Sequence, residues 1–363
     1  MRMPLDRMDG IGRKVSDQIR MWAASGVDAR ILVFVDVPGQ EMDAIRGWKL
    51  NLASNSSPFL VRKAQRVFQF LKGALITVLW RPDVIYTRAG VSFWGSSMWK
   101  WSGAKRVIEL NTTLEGELVS LQKTGHINER EQDLRREDWN QTMQKADAYV
   151  SVSDEIDRQN KQWMADKPAT VVCNSIDFSK HSKVIRKNQQ NKLPKLVFVG
   201  AAEYDWNGVD KLMYLASKTV GILEFVLIGV KPDKTHSENV TIYPFLEKEK
   251  LPEILASCDV GVATLALHRK ELEEASPLKV REYAALGLPM IIAYNETAFK
   301  GVDTPEWVLR IPNKEKSVEI FHSDIIAFSK KWKGRCIAPV ETSPFFHAGI
   351  VEQKRVQFFD EIC

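Results

Sequence analysis

Short apolar runs alternate with longer amphipathic stretches along almost the whole chain. Several runs, such as 196–199 and 290–293, contain no polar position, which is typical of strands buried on both faces. The runs predict nine strands, at 31–35, 84–86, 106–109, 148–152, 170–172, 196–199, 225–228, 260–263 and 290–293. Apolar periodicity predicts helices between them, for example at 13–25, 58–80, 131–145, 208–218 and 248–257. Strand and helix in alternation predict an α/β fold with parallel sheets.

The segment 177–195 interrupts this alternation, because it is rich in lysine and arginine and carries the polar tract 188–191. A chain of 363 residues is too long for one compact α/β core and about right for two. We interpret the segment as a linker between two Rossmann-like domains. The predicted domains are 1–178, joined by a C-terminal helix at 347–363, and 179–346.

The N-terminus is unusual for such a fold. A doubly wound domain opens with a strand that a glycine-rich turn follows. Here Gly10 and Gly12 come after only a few residues, one of which is Pro4. We therefore expect the N-terminal strand to be stunted or missing. The dinucleotide fingerprint G-x-G-x-x-G is incomplete, since Val15 stands at the third glycine position, which disfavours a nicotinamide-dependent enzyme.

Composition narrows the class of protein. Hydrophobic residues make up 44% and charged residues 27%, which excludes global disorder. The net charge of +5 is small for this length, and no nucleic-acid-binding motif accompanies it. The four cysteines lie far apart without a C-x-x-C pair, so we expect a reducing, cytoplasmic location and neither a zinc site nor disulfides. We also expect no secretory signal and no membrane span.

The most informative segment is 274–292. Ser276 is a good N-cap, Pro277 suits the first helical position, and Gly287 suits the residue after the helix end. The segment thus predicts a helix between the strands 260–263 and 290–293. A helix N-terminus after a loop of a parallel sheet faces the ligand crevice and favours a phosphate group.

Two carboxylates flank the predicted start of this helix. Glu274 lies in the loop before it, and Glu282 lies roughly 8 Å beyond its first residue at 1.5 Å per residue. The two side chains cannot both contact one atom, but they suit opposite parts of an extended ligand, for example the hydroxyls of two sugar rings. An ordinary capped helix with surface carboxylates is the alternative at this point.

Glu274 and Glu282, with Ser-Pro-Leu-Lys between them and Gly-x-Pro at the end, resemble the donor-site signature of retaining GT-B glycosyltransferases of the family 4 group (glycosyl transferases group 1). The resemblance implies two Rossmann-like domains facing a cleft. It implies that Glu282 binds the nucleotide ribose and that Glu274 binds donor-sugar hydroxyls. Backbone groups around Leu278 and Lys279 would hold the diphosphate, in a donor-binding segment that includes Ser276 and Pro277.

The similarity extends over almost the whole chain. In the first domain, Gly10-Ile-Gly-Arg-Lys14 stands at the place of the family's glycine-rich loop on the acceptor side. Gly10, Gly12 and Arg13 are therefore candidates for contact with the acceptor or a phosphate. Further similar segments are 81–86, 146–153, 174–177, 196–200 and 207–210.

The chain departs from the family where a cation is expected. Family members usually carry an arginine soon after the position of Gly200 and a lysine just before that of Gly208, and both clamp the donor diphosphate. Here those places hold alanines and Asn207, and no lysine or arginine lies between Gly200 and Lys211.

The nearest basic residues follow in the loop before Glu274. We propose that Arg269 or Lys270 supplies the charge that a diphosphate needs. The alternative is that both are solvated loop cations.

A second departure concerns Asn111. Many relatives have a His-Asp pair after the fourth strand, where this chain has Glu109-Leu-Asn111. Asn111 can orient a sugar hydroxyl, but it cannot act as a base. Retaining transfer in this family is thought to need no enzyme base, so we keep Asn111 and Glu274 as the catalytic candidates.

Basic and aromatic residues interleave at 58–80 and again at 93–106. Such a face suits docking on an anionic membrane, where a lipid-linked acceptor would lie. The alternative is an ordinary amphipathic helix that packs its phenylalanines on the sheet. The residues concerned in the first stretch are Phe59, Arg62, Lys63, Arg66, Phe68, Phe70 and Lys72.

Together these features predict a metal-independent, retaining hexosyltransferase without a bound cofactor. Its partners would be a nucleotide-sugar donor and a saccharide or lipid-linked acceptor, with no nucleic acid. We expect a role in cell-envelope or exopolysaccharide synthesis, in the cytoplasm or peripherally on the inner face of the membrane. Two alternatives stay open: a nucleotide-sugar 2-epimerase, and a non-catalytic relative that binds nucleotide sugars.

Overall fold

The computed structural model of the chain consists of two compact units. The first unit comprises residues 1–172 and 351–363, and the second unit comprises 173–350. These boundaries lie a few residues from 178 and 347, the positions that the sequence predicts. The structure describes residues 2–3, 10–35, 47–51, 59–89, 102–123, 127–164, 166–180, 191–200, 204–231, 237–244, 246 and 250–363.

The strands of the first unit are parallel and form two sheets. A three-stranded sheet has the order β1-β2-β3, and a four-stranded sheet has the order β4-β5-β6-β7. The strands are β1 (Arg2–Met3), β2 (Ile31–Val35), β3 (Gly47–Asn51), β4 (Val84–Arg88), β5 (Lys105–Leu110), β6 (Ala148–Ser151) and β7 (Ala169–Val171).

The first strand is stunted, as the sequence predicts. Among the described residues β1 comprises two, which pair with the end of β2, as Arg2 with Phe34 and Met3 with Val35. Residues of β2 and β4 line a cavity of about 510 Å³ in this unit, together with residues of two helices, Gly10–Ala24 and Phe59–Trp80. The order of the two sheets, 3-2-1 and then 4-5-6-7, is that of a doubly wound domain.

Helices connect the strands of the first unit, and the last helix of the chain packs against the first one. Trp22 donates to a carboxylate oxygen of Glu352 at 2.9 Å, and its ring meets that of Phe359 at a centroid distance of 5.4 Å. These helices are α1 (Gly10–Ala24), α2 (Phe59–Trp80), α3 (Leu114–Lys123), α4 (Glu129–Gln144), α5 (Asp154–Met164) and α12 (Ala348–Ile362).

The second unit is built on a six-stranded parallel sheet of order β10-β9-β8-β11-β13-β15, beside which β12 and β14 form a separate pair. The strands are β8 (Lys195–Val199), β9 (Glu224–Ile228), β10 (Val240–Tyr243), β11 (Val260–Val262), β12 (Glu274–Ala275), β13 (Met290–Ile292), β14 (Asn295–Glu296) and β15 (Val308–Arg310). The α-helices are α6 (Val209–Lys218), α7 (Leu251–Ala256), α8 (Leu278–Ala285), α9 (Ser317–Ile320), α10 (His322–Trp332) and α11 (Pro339–Phe346).

The core of the second unit follows from its apolar runs. β11 and β13 are buried along their whole length, as expected for central strands covered on both faces. Gly261 in β11 is required by close packing, because a β-carbon there would lie 2.5 Å from the ring of Tyr283. Helix α8 therefore lies directly on the centre of the sheet.

All nine predicted strands are present, with end points that differ by up to two residues. The prediction for the glycine-rich segment is wrong: Gly10, Gly12 and Arg13 do not form a loop, since α1 begins at Gly10. The predicted linker 177–195 lies partly outside the described residues. Among those residues, no helix is long and apolar enough to cross a membrane.

Candidate functional site

The strand order of the second unit reverses between β8 and β11. The chain leads from β8 outward to β9 and β10, and from β11 to β13 and β15 on the other side. In open parallel sheets, ligands bind beyond the carboxyl ends of the strands at such a reversal. The loops that leave these two strands carry the predicted donor-binding residues, from Gly200 after β8 and from Arg269 to Lys279 after β11.

The start of α8 differs from the sequence prediction. The helix begins at Leu278, its N-cap position is Pro277, and no side chain caps it. The Ser276 hydroxyl instead accepts hydrogen bonds from the backbone N–H of Asn174 at 2.8 Å and from the Arg281 guanidinium at 2.7 Å. Ser276 is therefore an anchor of the loop and not a helix cap, because its hydroxyl accepts from a backbone N–H of another loop and from a side chain of α8, and not from a backbone N–H of α8.

Arg281 holds the loop before α8 in place. Its fully buried guanidinium forms two hydrogen bonds with the Glu296 carboxylate, at 2.7 and 2.6 Å, and donates to the backbone oxygen of Asn174 at 2.8 Å. The Asn174 side chain in turn donates to the backbone oxygen of Ser276. This buried network fixes Glu274–Ala275 next to β14 and fixes the direction in which α8 starts.

Tyr283 fastens α8 to the two strands that flank the reversal. Its hydroxyl donates to the backbone oxygen of Val262 at 3.1 Å and accepts from the backbone N–H of Val199 at 3.2 Å. Burial raises the pKa of this hydroxyl, so it stays neutral and keeps both hydrogen bonds. Tyr283 thus ties α8 to the carboxyl ends of β8 and β11.

The two glutamates of the motif lie on different elements. Glu282 is buried on α8, and Glu274 is half-buried on the two-residue strand β12. Glu274 also lines a cavity of about 220 Å³ together with Lys300 and Arg310, a cavity that does not include Glu282 among its lining residues. The two carboxylates therefore lie on different elements, and only Glu274 lines this cavity.

Lys279 reaches from α8 to the end of β8. Its ammonium donates to the side-chain oxygen of Asn207 at 2.9 Å and lies 4.1 Å from the centre of the Phe198 ring. A β-carbon on Gly200 would lie 3.0 Å from the ammonium nitrogen, and Gly200 has a φ of 154°. Glycine at this position therefore leaves the space that the ammonium occupies.

Arg269 and Lys270 have other partners. The Arg269 guanidinium pairs with Asp210 at 2.7 Å and with Glu315 at 2.6 Å. These hydrogen bonds raise the pKa of Arg269 and, with one from His268, lower the pKa of Glu315 to about 2. The ammonium of Lys270 lies over the Trp206 ring at 5.1 Å. The charge of Arg269 is thus already compensated within the protein.

In the first unit, a buried carboxylate organises the candidate residue Asn111. The Glu109 side chain accepts from Lys14 at 2.5 Å, from Asn111 at 2.5 Å and from the Tyr86 hydroxyl at 2.6 Å. Burial alone would raise the pKa of Glu109, but the positive charges of Lys14 and Arg355 outweigh it and lower the pKa. Asn111 is consequently held by an ionised carboxylate and is oriented through its amide nitrogen.

Lys14 is part of the same cluster. Burial lowers the pKa of its ammonium to about 8, against the opposing effect of Glu109. Lys14 follows Gly12 and Arg13 in the first turns of α1. The last residue of the glycine-containing motif is therefore a buried lysine that contacts Glu109. The motif Gly10-Ile-Gly-Arg-Lys14 drew attention to this segment, but the sequence analysis did not assign a role to Lys14.

Two further residues of the site were missed. Arg281 and the side chain of Lys279 both lie inside the motif 274–292, yet their partners Glu296, Asn207 and Gly200 come from other loops. These contacts cannot be predicted from the spacing of residues along the chain, because they depend on how the segments after β8, β11 and β13 pack together.

Comparison with known proteins agrees with this architecture. A family model described as "Glycosyl transferases group 1" matches residues 193–317, which lie in the second unit. No curated protein sequence matches the chain.

Solved structures match nearly the whole chain. HepE from Anabaena, solved in complex with UDP and glucose, has a TM-score of 0.68 at 15% identity, with 99% of this chain and 98% of that chain covered. WaaG, described as a glycosyltransferase involved in lipopolysaccharide biosynthesis, has a TM-score of 0.63 at 13% identity, with 97% and 96% covered. Sucrose-phosphate synthase from Thermosynechococcus elongatus has a TM-score of 0.62 at 14% identity, with 96% and 92% covered.

These likenesses concern the fold, since the identities are low, while the family match concerns the sequence of the second unit. The resemblance that the motif 274–292 indicates is thereby confirmed: residues 193–317 match the glycosyl transferases group 1 family, and the chain has the α/β fold of GT-B glycosyltransferases.

Proposed function

We propose that this chain is a retaining glycosyltransferase that moves a hexosyl group from a nucleotide sugar to a saccharide or lipid-linked acceptor. The observation that carries the proposal is the position of the Glu274–Glu282 segment, whose helix starts at the reversal of a parallel sheet within the family-matched region. One structure of HepE from Anabaena is of a complex with UDP-glucose. That ligand is the kind of donor that the proposal assigns to this chain.

Each residue of the segment has a chemical part in this proposal. Glu282 accepts hydrogen bonds from the ribose hydroxyls, and Glu274 accepts them from hydroxyls of the transferred sugar. Backbone N–H groups at Leu278 and Lys279 and the positive end of α8 stabilise the leaving diphosphate as its negative charge develops. The network of Arg281 with Ser276 keeps these groups in place before the donor binds.

The acceptor hydroxyl would be deprotonated without a dedicated enzyme base. In the proposed reaction a bond forms between the acceptor oxygen and the anomeric carbon, on the face from which the diphosphate leaves. The acceptor proton passes to the departing diphosphate oxygen, so retention follows without a covalent enzyme intermediate. Asn111 takes part only by orienting a hydroxyl, and no bound metal or cofactor is assigned to the reaction.

A membrane-bound acceptor is favoured by one surface of α2. Leu60, Phe68, Leu71, Leu75 and Leu79 are all exposed, at 49–76% of their area, and their spacing places them along one side of the helix. Phe70, by contrast, packs against Leu50.

Exposed apolar residues in a row, with the exposed Lys63 and Lys72 on the same helix, suit a peripheral contact with an anionic membrane. We therefore place the reaction in cell-envelope or exopolysaccharide synthesis, at the cytoplasmic face of a membrane. The second aromatic stretch of the sequence, with Phe93, Trp94 and Trp99, lies outside the described residues.

Two other functions remain as competitors. A non-catalytic relative that binds nucleotide sugars is one. It is favoured because alanines and Asn207 stand where family members have the arginine and the lysine that bind the donor diphosphate. A nucleotide-sugar 2-epimerase would need acid–base carboxylates together with a histidine next to the sugar, and the residues assigned above include no histidine.

One incubation separates the three. The protein is mixed with UDP-, GDP- and ADP-sugars, with and without an acceptor extract of bacterial envelope lipids, and the products are resolved by chromatography. Transfer is shown by acceptor-dependent release of the nucleoside diphosphate, and epimerisation by a new nucleotide sugar without acceptor. Binding with no product in either arm identifies the non-catalytic relative. Glu274→Gln is the matched variant, which should retain binding of the nucleoside diphosphate and lose transfer.

A further inference from the structure

The loop that follows β8 contains no cation for a donor diphosphate. No lysine or arginine occurs from Gly200 to Asp210, and Lys211 donates to the backbone oxygen of Lys314 and pairs with Glu315. A diphosphate in a cleft without a cationic partner would be poorly compensated. If the proposed function holds, on which this inference rests, a positive charge must come from another element.

Lys279 places an ammonium at this loop. The nitrogen is 2.9 Å from the side-chain oxygen of Asn207 and directly beside Gly200. Asn207 stands at one of the two places where the sequence departs from the family, and Gly200 directly precedes the other, which holds alanines. Lys279 belongs to α8, which follows β11, but its ammonium lies at the loop after β8. That loop has no lysine or arginine of its own.

The other candidate cations are less suited. Arg269 is held by two carboxylates, and Lys270 lies over Trp206. The Lys279 ammonium contacts the neutral amide of Asn207 and the ring of Phe198, and among the described residues no carboxylate lies at ion-pair distance from it. Its charge is thus the one that an incoming anion would complete.

We infer that the side chain of Lys279 is the cation that binds the donor diphosphate in this chain, in place of the clamp expected in the loop after β8. Asn207 positions the ammonium, and Gly200 leaves the room for it. The inference replaces Arg269 and Lys270 in this role and adds a side-chain function to the backbone function assigned to residue 279.

The electrostatics of the site agree with this role. Removal from water lowers the pKa of Lys279 to about 7, and the nearby charge of Glu282 only partly opposes that change. A lysine with a lowered pKa is under-compensated in the free protein, and a bound diphosphate would supply the missing negative charge.

The test compares a nucleoside diphosphate with its nucleoside. Binding of UDP, with GDP and ADP in parallel, and of the matching nucleoside is measured by calorimetry or competition for wild type, Lys279→Met and Lys279→Gln. We expect the affinity for the diphosphate to fall about 10- to 100-fold and that for the nucleoside to change little. Lys218→Met, an exposed lysine at the far end of α6, is the control for the loss of one charge.

A relocated charge tests the mechanism independently of folding effects. Because the Asn207 side chain contacts the ammonium, a lysine at position 207 can bring its charge to the same place. The double variant Lys279→Met/Asn207→Lys should regain at least tenfold of the lost diphosphate affinity. If Lys279→Met proves unstable, this variant and Lys279→Gln still decide the question.

The outcomes separate this inference from the proposed function. Wild type that binds none of the three diphosphates removes the proposed function. Wild type that binds one, with unchanged affinity in both Lys279 variants, overturns the inference alone. Loss of diphosphate affinity in Arg269→Met or Lys270→Met, with Lys279→Met unaffected, returns the role to the loop before Glu274.

Discussion

Lys279 and Arg281 lie two positions apart on α8 and have opposite kinds of surroundings. Arg281 is fully buried and paired with the Glu296 carboxylate, whereas Lys279 is half-buried and contacts a neutral amide. The paired cation has a structural part, because its charge is satisfied within the fold. Lys279 has no carboxylate partner among the described residues, and this difference between the two cations could not be predicted from the sequence.

The lowered pKa of Lys279 has a measurable consequence at the scale of this one residue. In the folded protein the ammonium loses its proton near pH 7, while the unfolded chain keeps it up to about 10.5. The unfolded state therefore holds more protons within this window, so this residue makes stability rise with pH. Below pH 7 both states are protonated, and Lys279 contributes no slope.

Binding of a diphosphate should reverse the shift, because an anion favours the charged form. At pH 8 we expect wild type to take up nearly one proton from the solution for each molecule of UDP, or of whichever diphosphate binds. The uptake is measured by calorimetry in buffers of different ionisation enthalpy. Neighbouring Glu282 is present in both proteins, so the difference between wild type and Lys279→Met isolates the lysine. Equal proton uptake by the two proteins would contradict a charged Lys279 in the complex.

At the scale of elements, the loop before α8 depends on one buried ion pair. Replacing Arg281 by methionine would leave the Glu296 carboxylate buried without its partner and would remove the hydrogen bonds to Ser276 and Asn174. We expect Arg281→Met to lower the free energy of unfolding by about 3–5 kcal/mol.

The double variant Arg281→Met/Glu296→Gln measures how much of that loss is the stranded carboxylate. It should be more stable than Arg281→Met alone, because no buried charge is left unpaired. Urea unfolding followed by circular dichroism gives both values. A double variant that is less stable than the single one would show that the ion pair is not the source of the effect.

The strands with continuous apolar runs, β8, β11 and β13 among them, could be predicted because burial on both faces excludes polar positions. The short strands β3 and β15 at sheet edges carry too few apolar residues for that signal. β10, Val-Thr-Ile-Tyr, lacks it as well, because the exposed Thr241 interrupts its apolar residues.

In the candidate site, too, some features could be predicted from the sequence and others could not. The glutamates and the helix start follow from spacing, since they lie within one continuous segment. Ser276 was expected to cap the helix because the sequence does not show that Arg281 and Asn174 reach its hydroxyl. Nor does it show that Lys279 meets Asn207, since 72 positions separate them along the chain. Contacts between loops thus account for most of what was missed.

At the scale of the whole molecule, the exposed apolar side chains of α2 lead to a prediction about the proposed contact with a membrane. We expect the protein to co-sediment with vesicles that contain phosphatidylglycerol and to bind pure phosphatidylcholine vesicles less. Replacing Leu75 and Leu79 by glutamate should abolish most of this binding, because it removes apolar area and adds negative charge.

Leu134→Glu is the matched control for that experiment. Leu134 is exposed to 62% on α4 in the same unit, outside the row on α2. Its replacement should leave vesicle binding unchanged. If Leu134→Glu reduces binding as much as the α2 variant, or if wild type stays in the supernatant with both lipids, the membrane proposal is wrong.

The central claim is that the carboxyl edge of the second unit binds a nucleotide sugar through Glu282 and the start of α8. The most direct measurement is a titration of wild type and of Glu282→Gln with UDP, GDP and ADP. Binding is detected by calorimetry and by the rise in the melting temperature of the protein. The account predicts that wild type binds one of these nucleotides and that Glu282→Gln binds it at least tenfold more weakly, since a ribose hydrogen bond to a charged group is lost. Absence of binding by correctly folded wild type, or equal binding by Glu282→Gln, would contradict it.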